Sequence, residues 1–83
     1  MEHYIYVLFS PNYDQTYIGF SDNVEARFRS HNEHAKKGWT IRYRPWTIVH
    51  QESYPTKKQA LAREKQLKSA KGREWIRKSI LGQ

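Results

Sequence analysis

The sequence contains no cysteine and no long apolar run, and each absence narrows the class of protein. Without cysteine, disulfides and thiolate-bound metals are excluded. The most apolar run, from Tyr4 to Phe9, is far shorter than a membrane span or the hydrophobic part of a signal peptide. We therefore expect a soluble, cytoplasmic protein. A chain of this length builds one core, so residues 1–83 are predicted to form a single domain.

Several signatures of common enzyme classes are also missing. The sequence has no Walker loop, no dinucleotide-binding glycine motif, no zinc-type spacing of histidines and no serine in a nucleophile elbow. His3, His34 and His50 have no spacing that indicates a metal site. Any chemistry must therefore come from a less conspicuous group of residues.

Acidic residues are scarce in the last third of the chain. The sequence has 15 Lys and Arg against 8 Asp and Glu, a net charge of +7. Residues 57–83 hold nine of the basic and two of the acidic residues, so the whole excess lies there. A basic segment of this kind suits a polyanion such as nucleic acid. The alternative is a solvated, lysine-rich helical surface.

Two short strands joined by a turn are predicted at the start of the chain. The run Tyr4–Phe9 is β-branched, aromatic or large and aliphatic throughout, which favours a strand buried on both faces. Turn-forming residues occupy 10–15, and Thr16–Phe20 is predicted to pair with the first strand. Gly19 near the end of the second strand indicates a bend or a close backbone approach.

The first helix and the following loop come next. Asp22 with Glu25 resembles a capping box, which predicts a helix from there to about Ala35 or Lys36. The segment 38–46 interleaves basic and aromatic residues, and Pro45 predicts that it is irregular.

A third strand and two helices complete the predicted fold. The strand covers 47–53, and Thr56 with Gln59 forms a second capping box for a helix to about Ala70. That helix is predicted to bury Ala60, Leu61 and Leu67, and Gly72 to close it as a C-cap. A last helix over 73–81 should pack through Trp75, Ile76 and Ile80. The order β-β-α-β-α-α predicts a small α+β domain with an antiparallel sheet flanked by helices.

Glu64 is the most informative residue of the second half, because it falls on the apolar stripe of its helix. An acid there must be paired, bind a cation or reach water. A salt bridge to Lys68 or an arginine is the ordinary interpretation. A hard metal such as Mg²⁺ is the other, since it needs only one or two protein carboxylates when phosphate oxygens and waters complete its shell.

Arg27 and His31 lie four residues apart and therefore project from one face of the first helix. The guanidinium of Arg27 matches a phosphate, and His31 can bond a hydroxyl or shuttle a proton. Tyr6 and Tyr17 lie in the paired strands, where a tyrosine is a base only if nearby cations favour its phenolate. Together with a metal on Glu64 these groups could make a phosphodiesterase, although each alone also has a structural interpretation.

The chain resembles a GIY-YIG nuclease domain, and in particular the small stand-alone bacterial putative endonucleases of that superfamily. The matching segments are, in chain order, Tyr4-Ile5-Tyr6, Tyr17-Ile18-Gly19, Ser21-Asp22-Asn23-Val24, Arg27, His31-Asn32, Arg44-Pro45-Trp46, Val49, Ala60, Glu64-Lys65 and Leu67-Lys68. The glycine of the first signature is replaced by Tyr4, as in other members of that subgroup. The resemblance implies a three-stranded antiparallel sheet with one active site on its face.

The resemblance also implies a role for each site residue. Tyr6 would be the general base and Tyr17 would orient it or the water, although the two tyrosines can exchange roles within the family. Arg27 would contact the scissile phosphate, and His31 would bond the tyrosine or assist proton transfer. Glu64 would hold a single divalent metal, Mg²⁺ or Mn²⁺, that stabilises the leaving 3′ oxygen.

The sequence thus predicts a metal-dependent endonuclease that hydrolyses DNA by tyrosine-assisted water attack, selective for branched or single-stranded DNA, in repair or processing. We expect it to act as a monomer, and leave open whether a protein partner targets it. The predicted nucleic-acid contacts are Trp39, Arg42, Arg44, Lys57, Lys58, Lys65 and Lys68. The alternatives are a nucleic-acid-binding module of the same fold with little or no activity, and a basic interaction domain without a nucleic-acid role.

Overall fold

A three-stranded antiparallel sheet organises the computed structural model, which describes residues 2–34 and 38–83. The strands are β1 (His3–Ser10), β2 (Gln15–Ser21) and β3 (Thr47–Tyr54), and their spatial order is β2-β1-β3. β1 is therefore central, and β2 and β3 are edge strands. The predicted α+β class and the three antiparallel strands are confirmed.

Helices follow the strands in the predicted order. α1 (Val24–Arg29) continues into a π turn (Ser30–His34), α2 covers Lys57–Lys68, and α3 (Ala70–Trp75) continues into a second π turn (Ile76–Ile80). The predicted end of the first helix, at 35–36, lies outside the described residues. Within the described ranges, no helix has the length and apolar character needed to cross a bilayer.

The loop before β3 contains a 3₁₀ turn at Trp39–Tyr43, so the prediction of an irregular segment there was wrong. Proline restricts its own φ angle and the conformation of the residue before it. Pro45 therefore constrains Arg44, which is already extended, and leaves the preceding turn free to form.

Two helix starts show which capping predictions hold. The prediction of Asp22 as the cap of α1 was wrong, because Asp22 is exposed and Asn23 Oδ1 accepts the hydrogen bond from the Ala26 amide at 3.1 Å. The cap predicted at Thr56 is confirmed, since its hydroxyl accepts from the Gln59 amide at 3.2 Å and donates to the Gln59 side chain at 3.0 Å.

Gly72 does not close α2, contrary to the prediction. It lies buried inside α3, where its amide donates to the capping hydroxyl of Ser69 at 3.1 Å. A Cβ at this position would lie 2.3 Å from the carbonyl oxygen of Gln66 and 2.5 Å from the Cα of Leu67. Glycine is required here because the backbones of α2 and α3 touch.

Both faces of the sheet are covered, which explains the apolar character of β1. Ile5 and Val7 face α2 and the last helix, whereas Tyr6 and Leu8 face Val24 and Trp46. All four side chains of that β1 run are fully buried, as predicted. Two other core predictions were wrong, because Leu61 and Trp75 are 40% and 39% exposed.

A polar cluster on Glu52 ties β3 to α2. Arg63 donates to the two carboxylate oxygens at 2.9 and 3.1 Å, Tyr54 Oη donates at 2.6 Å, and His50 Nε2 lies at 2.7 Å. Burial alone would raise the pKa of Glu52, but the hydrogen bonds from Arg63, Tyr54 and His50 outweigh it and lower that pKa to about 2. The cluster is therefore a stabilising element that depends on an ionised carboxylate.

Candidate active site

The register of the first hairpin places both signature tyrosines on one face of the sheet. Leu8 pairs with Tyr17 and Tyr6 pairs with Gly19, so these side chains share the face that α1 covers. Gly19 allows Tyr6 to reach the edge of the sheet, because a Cβ at position 19 would lie 2.3 Å from both Cζ and Oη of the tyrosine. This confirms the predicted close approach at Gly19.

The hydroxyl of Tyr6 lies 3.2 Å from Nε2 of His31, which comes from the π turn after α1. Nδ1 of the same ring lies 3.0 Å from the hydroxyl of Thr40. A neutral imidazole carries one N–H, so one ring nitrogen donates to its hydroxyl partner and the other ring nitrogen accepts from its own. Tyr17 packs against the same ring, with centroids 4.5 Å apart.

The loop before β3 holds the π turn that carries His31. Asn32 and Trp46 exchange side-chain to backbone hydrogen bonds of 3.0 and 2.6 Å, and the guanidinium of Arg44 donates to the carbonyls of Ser30 and His31. These contacts satisfy carbonyls that the end of a helix would otherwise leave without partners. The imidazole is thus fixed at both ring nitrogens and by its backbone.

Burial sets the protonation states of this pair. Burial and the neighbouring Tyr17 raise the pKa of Tyr6 to about 12, against an opposing effect of Arg27. Burial and the charges of Arg27 and Arg44 lower the pKa of His31 below its ordinary value. At neutral pH the structure therefore contains a neutral phenol hydrogen-bonded to a neutral imidazole.

The charges of Arg27 and Glu64, on helices that cover opposite faces of the sheet, both act on the pKa of Tyr6. Arg27 lies on α1, and its charge acts on both Tyr6 and His31. Glu64 lies on α2, across the sheet, and its charge makes a minor contribution to the raised pKa of Tyr6. Contacts join Tyr6, Tyr17 and His31, whereas the participation of Arg27 and Glu64 in one site stays a prediction.

Comparison with known proteins identifies the family to which this chain belongs. A family model described as the GIY-YIG catalytic domain matches residues 2–78. The chain belongs to the GIY-YIG family. Catalytic domains of this family are generally nucleases that act on DNA with a divalent metal.

The similar proteins include several UPF0213 proteins, a name that specifies no activity. The UPF0213 protein of Staphylococcus haemolyticus is 34% identical over 68 residues, which cover 82% of this chain and 82% of that protein. A UPF0213 protein of Bacillus velezensis is 34% identical over 77 residues, covering 89% and 77%. The solution structure of a UPF0213 protein from Bacillus halodurans matches with a TM-score of 0.55 and 26% identity, over 92% of this chain and 82% of that one.

The described side chains fit a metal site that uses a single protein carboxylate. No group of three metal-ligating side chains occurs within residues 2–34 and 38–83. Glu64 offers one carboxylate whose side chain is 21% exposed, and its contact with Lys68 is a loose 3.6 Å. A hard cation held by this carboxylate, with phosphate oxygens and waters as its other ligands, agrees with these donors.

The predicted nucleic-acid contacts do not all share one environment. Trp39 and Arg42 are exposed on the 3₁₀ turn, and Lys57, Lys58, Lys65 and Lys68 are exposed on α2. Arg44 is half-buried and engaged with backbone carbonyls, which gives it a structural task. Whether each of these residues contacts DNA stays a prediction.

Sequence reasoning missed the residue that fixes the imidazole of the GIY-YIG site. Thr40 is buried, and only the folding of the loop over the sheet brings it to Nδ1 of His31. The carbonyl of Thr40 also accepts from Nε1 of Trp46 at 2.8 Å. Nothing in the pattern around Thr40 distinguishes it from an ordinary loop threonine.

Proposed function

We propose that this GIY-YIG protein is an endonuclease that hydrolyses DNA phosphodiester bonds by attack of water, assisted by one divalent metal. The observation that carries the proposal is the environment of the Tyr6 hydroxyl. This hydroxyl is hydrogen-bonded to His31, and the charges of Arg27 and Glu64 act on it. A base, a phosphate-binding cation and a metal-binding carboxylate are the groups that phosphodiester hydrolysis requires.

In the proposed reaction, Arg27 binds the scissile phosphate and stabilises the charge that develops on it. Glu64 would hold the metal, which when bound supplies Lewis-acid stabilisation of the leaving 3′ oxygen. The 3.6 Å contact with Lys68 is long enough for the carboxylate to exchange that partner for a cation.

The structure supports roles for Tyr6 and Tyr17 that differ from those the family resemblance implies. Tyr6 is fully buried and its pKa is raised to about 12, which suits a neutral hydrogen-bond donor. Tyr17 is partly exposed and lines the open groove beside the site, so its hydroxyl can reach a water. We therefore assign proton removal to Tyr17, and to Tyr6 and His31 the positioning of Tyr17.

The substrate should be chosen by shape or strand state, in DNA repair or processing. Exposed lysines and arginines contact phosphates without reading base sequence. Binding should therefore weaken steeply with salt.

The test is cleavage of branched, single-stranded and duplex DNA with Mg²⁺ or Mn²⁺ by the wild type and by Glu64→Gln. We expect Glu64→Gln to lose at least about 100-fold in rate, the scale of a lost electrostatic contact to the transition state, while DNA binding survives. Glu74→Gln is the matched control, because Glu74 also pairs with a lysine one turn later, at 2.7 Å, but outside the site. Equal loss in both variants would refute the metal-binding role of Glu64.

The two tyrosine assignments predict different pH–rate profiles. Tyr17→Phe should remove the rise of the rate with pH that a general base produces, whereas Tyr6→Phe should lower the rate and keep that rise. The reverse result would restore Tyr6 as the base. Binding without cleavage of every substrate would instead favour the nucleic-acid-binding module.

A further inference from the structure

The outer edge of β2 is where the helices of the two layers meet. β2 pairs only with β1, so its other side has no strand partner within the described ranges. Residues from α1 and the 3₁₀ turn approach this edge from one face, and residues from α2 and the last helix approach from the other. Two recesses lie along it: Tyr17 lines the first, and Gly19, next to the Tyr6 ring, lies between them.

The first recess, of about 430 Å³, lies beside Gln15–Ile18. Three cations line it, Lys68, Arg73 and Arg77, together with Tyr17 and Trp39, and Arg77 is already paired with Asp14. Arg73 uses Nε to bind the Lys68 carbonyl at 3.1 Å, and no hydrogen bond within the described part of the chain engages its two terminal nitrogens. The Arg73 guanidinium is thus oriented, with donors left for a ligand.

The indole ring of Trp39 lies at the mouth of this recess, packed on one side and exposed on the other. The ring is 45% exposed, yet it packs against Tyr43 at 4.7 Å and against the buried Trp46 at 5.8 Å. An aromatic ring that is supported on one side and open on the other is the arrangement on which an unpaired base stacks.

The second recess, of about 360 Å³, lies at the other end of β2 and has the same kind of wall. Arg27 from α1 and Lys57 from α2 line it, with Phe20 of β2 beneath the Lys57 ammonium at 6.0 Å. Asp22 is the one acid in this wall. Each recess therefore joins cations to an aromatic ring, with the scissile-phosphate arginine in the second.

From this arrangement we infer that a single strand of DNA runs along the outer edge of β2, through both recesses and across the catalytic residues, with an unpaired base stacked on Trp39. The inference rests on the proposed function, and it adds the path, the strand state and the residue Arg73. The seven residues of β2 span roughly 20 Å, the length of at most about six nucleotides at a stacked spacing of 3.4 Å.

The test is metal-free binding of a fluorescein-labelled thymidine oligonucleotide, followed by anisotropy over a range of salt concentrations. Trp39→Ala should weaken binding about ten-fold, the typical effect of one lost base–aromatic stack. Arg73→Gln and Lys57→Gln, in opposite recesses, should each reduce the slope of log K against log salt by about 0.7, and the double variant by about 1.4. Lys78→Gln, which removes a charge next to the first recess but outside it, should leave the slope unchanged.

Because no metal is present, the outcome is independent of cleavage. Trp39-dependent binding without cleavage of any substrate would keep the strand path and refute the nuclease. Cleavage with unchanged single-strand binding in Trp39→Ala and Arg73→Gln would refute the path. A slope change in only one recess, or an equal change in Lys78→Gln, would also overturn it, and circular dichroism of each variant separates these results from misfolding.

Discussion

Gly19 lies beneath the ring of Tyr6, and replacing it by alanine should displace the phenol from its histidine partner. The new methyl carbon would lie 2.3 Å from both Cζ and Oη of Tyr6 and 2.8 Å from Cε1. Since carbon atoms pack at about 3.5–4.0 Å, the tip of the ring must move by roughly 1.2 Å. The ring is fully buried, so it can move only by disturbing the packing of Tyr17 or Trp46.

The expected cost follows from two opposing effects. Overpacking of a core typically costs about 1–3 kcal/mol, whereas loss of the backbone freedom of glycine in the unfolded chain returns roughly 0.4–1 kcal/mol. Gly19 lies in a strand conformation open to alanine, so no backbone strain is added. We expect Gly19→Ala to lower the free energy of unfolding by about 1–2 kcal/mol and the cleavage rate by about 100-fold, the effect of a 1 Å misplacement.

Urea unfolding followed by tryptophan fluorescence measures the stability, and a double-mutant cycle isolates the clash. In a Tyr6→Leu background the obstructing atoms are gone, and Gly19→Ala should be neutral or slightly stabilising. An equal cost of Gly19→Ala in both backgrounds would show that the close approach to Tyr6 is not what requires glycine.

Two further predictions concern stability. Because the folded pKa of Glu52 is about 2 and its ordinary value is 4.5, the cluster contributes stability above pH 4.5 that is lost as the pH falls toward 2. Acid titration of the unfolding free energy should show a loss of roughly 2–3 kcal/mol that is absent in Glu52→Gln. Parallel curves for the wild type and Glu52→Gln would contradict the role of the carboxylate. Gly72→Ala should lower Tm by roughly 10 °C or more, because its methyl would meet the backbone of Gln66 and Leu67, and an unchanged thermal transition would show that α2 and α3 can separate without cost.

The parts of the fold that were predictable are those fixed by local pattern. The apolar run of β1 indicated a strand buried on both faces, and its position in the centre of the sheet gives each face its own core. Thr56 and Gln59 form a cap whose partners lie within four residues, so the sequence contains the whole motif. Gly19 indicated a close approach, although the atoms that approach it could be named only once the register was known.

The parts that were not predictable depend on packing between distant segments. Gly72 has the same sequence context whether it ends a helix or lies where two helices touch, and only the angle between α2 and α3 decides. Trp75 fits an apolar stripe but lies exposed beside Arg63, whose guanidinium carbon is 5.2 Å from the ring centroid. Thr40 could not be paired with His31 because the loop between them closes through Asn32 and Trp46.

The delivery of Glu64 from the far side of the sheet has a consequence for protein synthesis. The tyrosines, Arg27 and His31 all precede β3, whereas the carboxylate lies on α2, which is synthesised after all three strands. If Glu64 binds the metal as proposed, a nascent chain with a formed hairpin and α1 still has no hydrolytic capacity. Activity toward DNA would then begin only when α2 docks, so hydrolysis would depend on completion of the fold.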